Sequence, residues 1–480
     1  MQPLNIIFIM TDQHRCDHVG FYGDTFIETP HLDRLAESAA FSNCLSVNPI
    51  CAPARSSLLT GKYSHQIGTL GMSGDLHPQH PTYPQALQRA GYYTAGIGKF
   101  HWHQGWEWST PKGKGHDLVA MKHETLACGF DHVWEVSGKQ LVTRNYCEYA
   151  KLLDQAGVLD AYRDWSNEYG RNHVDVAHQT FEPVAFPFEE KLYVDIAIGD
   201  QAIQSLELRP KDQPFYMFVS FCGPHPPYDA PQKYLDLYQD DESPIIPDDR
   251  GPISEQSQAR IHRLRRSYKA MIHVIDEQVG RILDTLEAQN ILDSTVILFT
   301  ADHGEMMGDH GRVQKGSFYK SSVNVPAAIA HPHYSGRKQI DKPVELTDFT
   351  ATILDVAGIH PQEALSLKWP HFNNIVPSRS LLPLLSGKAD SIRPYAFSEC
   401  AHRGVWNVIQ NERWKYVKYL IPHPDEGGVT FLFDLINDPL ELKNLASDPT
   451  HSVVLQQLEQ ARRDVLDSTP AAQTRWVRTL

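Results

Sequence analysis

Val296-Ile297-Leu298-Phe299-Thr300-Ala301-Asp302-His303-Gly304 joins an apolar run directly to a carboxylate, an imidazole and a glycine. An unbroken apolar run reads as a strand buried on both faces, as in a parallel sheet covered by helices. The same texture recurs elsewhere. Ile6 to Met10 runs into Thr11-Asp12-Gln13-His14, Ala95-Gly96-Ile97 into Gly98-Lys99-Phe100-His101, and Phe215 to Phe221 into Gly223-Pro224-His225-Pro226. Helical patterns lie between. Thr29 reads as an N-cap before Pro30, with Leu32, Leu35, Ala36 and Ala39 on one face. Ser267 to Gln289 repeats apolar residues at Met271, Ile275, Val279, Ile282 and Leu286. The expected fold is α/β, a mostly parallel sheet with helices on both sides. Such sheets bind ligands beyond the carboxyl ends of their strands, so the four polar clusters are predicted to meet at one edge.

After about residue 370 the texture changes to short aromatic strands, Trp414 to Tyr419 and Thr430 to Phe433, with a closing helix from Ser452 to Leu466. A catalytic domain over 1–372 and a smaller α+β unit with an antiparallel sheet over 373–480 are expected. Residues 104–190 lack clean periodicity and read as an insertion near the site.

The 480 residues are 41% hydrophobic and 21% charged, which is globular composition. A net charge of −14 argues against nucleic acid or anionic membranes as partners. An anionic substrate would therefore need positive charge gathered locally. No apolar run reaches the roughly 18 residues of a membrane helix, and no signal peptide is visible. Seven scattered cysteines without CxxC pairs fit free thiols in the cytoplasm.

Cys51-Ala52-Pro53-Ala54-Arg55-Ser56-Ser57-Leu58-Leu59-Thr60-Gly61 sets a cysteine before a short helix that ends at the glycine. The positive end of a helix dipole and Arg55 both favour an anion there. With Cys-x-Pro-x-Arg followed by Leu-Thr-Gly, the segment resembles the type I sulfatases of the alkaline phosphatase-like superfamily. The resemblance runs through Asp12-Gln13, Gly98-Lys99-Phe100-His101, Pro224-His225-Pro226, Asp302-His303-Gly304-Glu305, Gly308-Asp309-His310-Gly311 and Lys315 to Asp434, Asp438 and Asn444. It implies a large mixed sheet, and a formylglycine made from Cys51 by a maturation enzyme, whose hydrated aldehyde attacks sulfur. It also implies a divalent metal on Asp12, Gln13, Cys51, Asp302 and His303. Lys99, Arg55 and Lys315 would hold the sulfate charge. His225 or Lys315 would protonate the leaving oxygen, and His101 would deprotonate the diol.

Ala54 stands where the family often has Ser, Gln13 where many members have Asp, and His303 where many have Asn. Calcium is the expected ion, and the imidazole brings Mg²⁺, Mn²⁺ or Zn²⁺ into consideration. The expected substrate is a small sulfate monoester, a carbohydrate sulfate first. The rival readings are a phosphonate monoester or phosphodiester hydrolase, and a catalytically silent protein that binds sulfated ligands. Lys99 and His101 favour sulfate over phosphonate. Trp102, His103, Trp106 and Trp108 are candidates for stacking on the leaving group. His402 and Arg403 are candidates for a loop reaching the pocket. A homo-oligomer is the default expectation.

Overall fold

The computed structural model describes residues 3–471 apart from 24–26, 72–75, 103–114, 173, 176–179, 240–242, 248–250, 252, 367–374 and 424–427. The expected boundary at 372/373 and the residues His103, Trp106 and Trp108 lie outside the described residues.

The apolar runs are strands. An eight-stranded sheet contains β1 (Asn5–Asp12), β2 (Ala39–Phe41), β3 (Tyr93–Lys99), β4 (His132–Val136), β5 (Phe215–Pro224), β6 (Thr295–Ala301), β7 (Ala327–Ala330) and β8 (Lys338–Ile340). Their order across the sheet is β8-β2-β7-β6-β1-β5-β3-β4. The strands from β6 to β4 in that order are mutually parallel, while β7 runs antiparallel to both β6 and β2. The sheet is thus mixed and mostly parallel.

Alternation along β1 divides the core in two. Ile7 and Ile9 face one cluster, with residues of α3 (Val194–Leu208) and α4 (Glu255–Ala288). Ile6, Phe8 and Met10 face the other, with Leu58 and Leu59 of α2 (Cys51–Thr60) and Phe349, Ile353 and Leu354 of α5 (Asp348–Val356). Residues 6 to 10 are wholly buried, which explains a run with no polar face. Each such side chain contributes about 1.5–3 kcal/mol of apolar burial.

Several local expectations need correction. Ala39 lies in β2, because α1 (Pro30–Arg34) stops after five residues. Thr29 does stand at the N-cap of α1, where its carbonyl accepts from the Asp33 N–H at 2.8 Å, but its side chain caps no helix N–H. Its hydroxyl accepts from the Gly20 N–H at 2.7 Å and donates to Asp33. The first turn is instead capped from across the core by Asp276 of α4, which accepts from the His31 and Leu32 N–H groups. The helix expected from Ser267 begins at Glu255, its first turns carrying the polar residues that hid the period. Residues 104–190 are more than an insertion, since they supply β4, an edge strand of the main sheet.

The second sheet is antiparallel, in the order β9 (Ala396–Cys400), β10 (Val405–Gln410), β11 (Trp414–Ile421) and β12 (Thr430–Asp434). One face packs on α6 (Ser452–Ser468). The other carries Trp406, Val417 and Phe433 against Ile50 and Phe318, which places this sheet directly behind the start of α2. Among the described residues, no helix is long and apolar enough to cross a membrane.

Gly98, the penultimate residue of β3, has φ +103, and a Cβ there would sit 1.9 Å from the Ser220 carbonyl oxygen of β5. We predict that Gly98→Ala lowers stability by about 2–4 kcal/mol, read as a drop in thermal midpoint. An unchanged midpoint would contradict this packing.

Candidate active site

Adjacent strand ends deliver two carboxylates side by side. Asp12 ends β1, and Asp302 follows its neighbour β6. Cys51 is the first residue of α2 rather than the residue before it, and every residue of this helix is buried. Ile50 provides no side-chain cap, while Gly61 closes the helix at φ 66. The uncapped start therefore offers its positive dipole end to the site.

Ligand atoms of Asp12, Cys51, Asp302 and His303 all lie within 4.8 Å of one another, and all four residues are buried. Hydrogen bonds orient each one. Oδ1 of Asp302 accepts from the N–H groups of Gln13 and His303, both at 2.9 Å, and Oδ2 accepts from Arg55 Nε at 2.8 Å. His303 Nδ1 donates to the Gly304 carbonyl at 2.9 Å, which turns Nε2 toward Cys51 Sγ at 3.1 Å. Lys99 Nζ donates to Asp12 Oδ2 at 2.5 Å. Two carboxylates, an imidazole and a thiol this close form a donor set that fits a divalent cation.

Three cations surround the set. Arg55 is 1% exposed and also donates through Nη1 to the Lys99 carbonyl at 2.6 Å and to Ser220 Oγ at 2.8 Å. Lys315 donates to Gln13 Oε1 at 2.7 Å and to Cys51 Sγ at 3.2 Å. Positive charge is thus gathered locally in an acidic chain. Burial alone would raise the Asp12 carboxyl, but Lys99, His225, Arg55 and Lys315 hold it well below the usual range. Burial and Asp12 push the Cys51 thiol up, yet Lys315, Lys99 and His303 bring it below its ordinary value. Burial, with Lys99 and Arg55 beside it, holds His101 well below the usual imidazole range. His225 is depressed likewise by burial and Lys315.

A cavity of about 380 Å³ opens over this group, and its lining includes Asp12, Cys51, Lys99, His101, His225 and Lys315. The four polar clusters therefore do converge. Gln13 joins them through Lys315, and Arg55 through Asp302. Trp102 does not. It is 3% exposed and stacks on Phe100, Phe130 and Phe218 in the core, where aromatic burial outweighs exposure at the cavity. His402 packs beside Gly316, next to Lys315, but neither it nor Arg403 is among the lining residues.

One wall of the cavity carries no motif or period that could mark it in advance. Ser137, Gly138, Lys139, Gln140, Leu141, Thr143 and Arg144 line it from the turn after β4. Lys139 is held there by ion pairing with buried Asp229 and by 3.0 Å hydrogen bonds to Tyr193 Oη and the Pro227 carbonyl. Ser220 was hidden inside an apolar strand. Glu305 and Tyr228 lie within or beside the quoted motifs, and only their contacts mark them.

The Sulfatase family model matches residues 4–359, and the model for the C-terminal part of N-sulphoglucosamine sulphohydrolase matches residues 308–467. A choline-sulfatase of Rhizobium meliloti is 31% identical over 471 residues, covering 93% of this chain and 83% of the relative. An arylsulfatase of Clostridium perfringens is 29% identical, covering 93% and 90%. The phosphonate monoester hydrolase of Agrobacterium radiobacter superposes with a TM-score of 0.76 over 97% of this chain and 95% of that one; at 23% identity it speaks for the fold alone. With its mixed sheet, its antiparallel C-terminal sheet and a family match over most of its length, the chain belongs to the sulfatase family, as an enzyme of alkaline phosphatase-like fold.

Proposed function

We propose that the chain hydrolyses sulfate monoesters through a formylglycine matured from Cys51, beside one divalent metal ion. The observation that carries this is Cys51 at the uncapped start of a buried helix, sharing one 4.8 Å cluster with Asp12, Asp302 and His303. Asp12, Gln13, Asp302, His303 and residue 51 would hold the ion, with calcium favoured and Mg²⁺, Mn²⁺ or Zn²⁺ as alternatives. When bound, the ion supplies Lewis-acid polarisation of a sulfate oxygen. A formylglycine-generating enzyme is the implied partner. Residues 1–372 form the catalytic domain on this reading, and 373–480 a subdomain that supports the start of α2.

Lys99 and Lys315 bind the nonbridging sulfate oxygens, and with Arg55 behind Asp302 they stabilise the charge that moves onto those oxygens. Arg55 also orients Asp302, so its role is partly structural. His101, kept neutral by burial and its cationic neighbours, takes a proton from the diol to release sulfate. Lys315 gives a proton to the leaving oxygen, or His225 does once the negative charge of a bound sulfate offsets the burial and the Lys315 charge that depress its imidazole. Among the described lining residues there is no Phe, Tyr or Trp side chain, and Ser137, Gln140, Thr143 and Arg144 offer polar groups. That wall suits a polyhydroxylated leaving group, a carbohydrate sulfate, better than an aryl one. Seven buried cysteines, all unpaired, accord with a reducing compartment and a cytoplasmic location.

The phosphonate reading draws support from Gln13 and His303 in the metal set. Lys99 and His101, both in the cavity, weigh toward sulfate. A silent binding role has no missing group to support it.

Purified enzyme should release sulfate from sulfated monosaccharides faster than it cleaves a phosphonate monoester. Cys51→Ala should abolish both activities, and Lys99→Ala should cost about 10²–10³ in kcat. A phosphonate rate above the sulfate rate would overturn the assignment. Leaving-group dependence separates the candidate acids. Of His225→Ala and Lys315→Ala, the variant lacking the acid should lose about 10²–10⁴ on an alkyl sulfate and far less on nitrophenyl sulfate. Equal losses on both substrates in both variants would exclude either as the acid.

A further inference from the structure

Gln13 differs from the other residues proposed to hold the ion, because its amide carries a donor and an acceptor at one end. Such a group can turn over and present its NH₂ to a cation. Here both ends are engaged. Nε2 donates to Oε2 of Glu305, and Oε1 accepts from Lys315 Nζ at 2.7 Å. The backbone is fixed as well. Gln13 sits at φ 64, its N–H donates to Asp302 Oδ1 at 2.9 Å, and its carbonyl accepts from Tyr268 Oη at 2.7 Å.

Glu305 is 1% exposed and collects four donors. Oε2 takes Gln13 Nε2 and Tyr228 Oη, the latter at 3.2 Å. Oε1 takes the N–H groups of Met307, at 3.0 Å, and Gln314. These donors come from three separate segments that reach the site: the end of β1, the loop that carries His225, and the loop that carries Lys315. A carboxylate only accepts, so it draws the amide NH₂ toward itself and leaves the amide oxygen facing the other way. On that other side stands Lys315, which also touches Cys51 Sγ at 3.2 Å.

We propose that Glu305 is a positioning residue that locks the Gln13 amide with its oxygen toward the metal ligands, and so selects an amide over a carboxylate at position 13. A carboxylate there would set acceptor against acceptor in a buried site. This gives a physical reason for an amide rather than a carboxylate at position 13 of this chain. The cluster itself then holds two carboxylates, Asp12 and Asp302, with Glu305 behind Gln13. The inference rests on the metal site proposed above and concerns the residue behind it.

The test titrates Mn²⁺ and, separately, Ca²⁺ into metal-free enzyme by calorimetry, alongside melting curves of the metal-free forms. Glu305→Gln keeps the size and sets amide against amide, so it should weaken binding about 10–100-fold. Gln13→Glu brings a negative charge toward the ion and by charge alone should tighten binding; Glu305 opposing it should weaken binding at least about tenfold. The double variant E305Q/Q13E exchanges donor and acceptor and should return to within about threefold of wild type, the non-additivity of a direct pair. Tighter binding in Gln13→Glu, or a double variant no better than the weaker single, would overturn the proposal. A role confined to holding the loops would instead lower the metal-free melting point equally in E305Q and the double variant, without compensation in affinity. Gln13→Glu leaves Glu305 in place, so it decides the matter even if E305Q fails to fold. A wild-type chain that binds neither ion would remove the metal site itself, and this proposal with it; wild-type binding without compensation would remove only the role of Glu305.

Discussion

Asp12 and Asp302 are buried carboxylates at the ends of neighbouring strands, and the surrounding structure is arranged to make that burial tolerable. Two negative charges taken out of water cost several kcal/mol each unless they are paired and hydrogen-bonded. Lys99 pairs with Asp12, and Arg55 with Asp302. The two backbone N–H groups on Asp302 complete its shell. Each cation belongs to an element that the sheet places for it. Lys99 ends β3, and Arg55 lies one turn into α2, so the same helix that presents Cys51 neutralises Asp302.

The loops beyond the strand ends are fixed by a second set of charges. Asp309 is buried between Arg15 and Arg265 at 2.8 and 3.0 Å, tying the segment after Asp12 to α4 and to the loop that leads to Lys315. Lys139 and Asp229 do the same for the wall after β4 and the His225 loop. Glu305 joins the remaining pieces. A reaction centre held this way needs little rearrangement when charge shifts onto sulfate oxygens, which is where preorganised electrostatics contribute most.

How far the sequence could be read depended on the range of the forces involved. Strands buried on both faces announce themselves as unbroken apolar runs, so β1, β5, β6 and the polar residues at their ends were legible. The cap on α1 was not, because Asp276 lies more than 240 residues away and acts through two N–H groups. Trp102 misled because aromatic residues beside a motif look alike whether they face a cavity or a core. The wall from Ser137 to Arg144 has neither period nor motif, and only the fold brings it over Cys51. Glu305 stood inside a quoted motif, but its purpose depends on which atoms of Gln13, Tyr228 and Gln314 meet it.

The account turns on the chemical state of residue 51. Weighing the proteolytic peptide that contains Cys51, from protein made in a host with an active maturation system, tests this directly. A formylglycine nucleophile predicts a peptide about 18 Da lighter than the cysteine form, in proportion to the active fraction of the sample. A fully active enzyme whose peptide carries unmodified cysteine would contradict it.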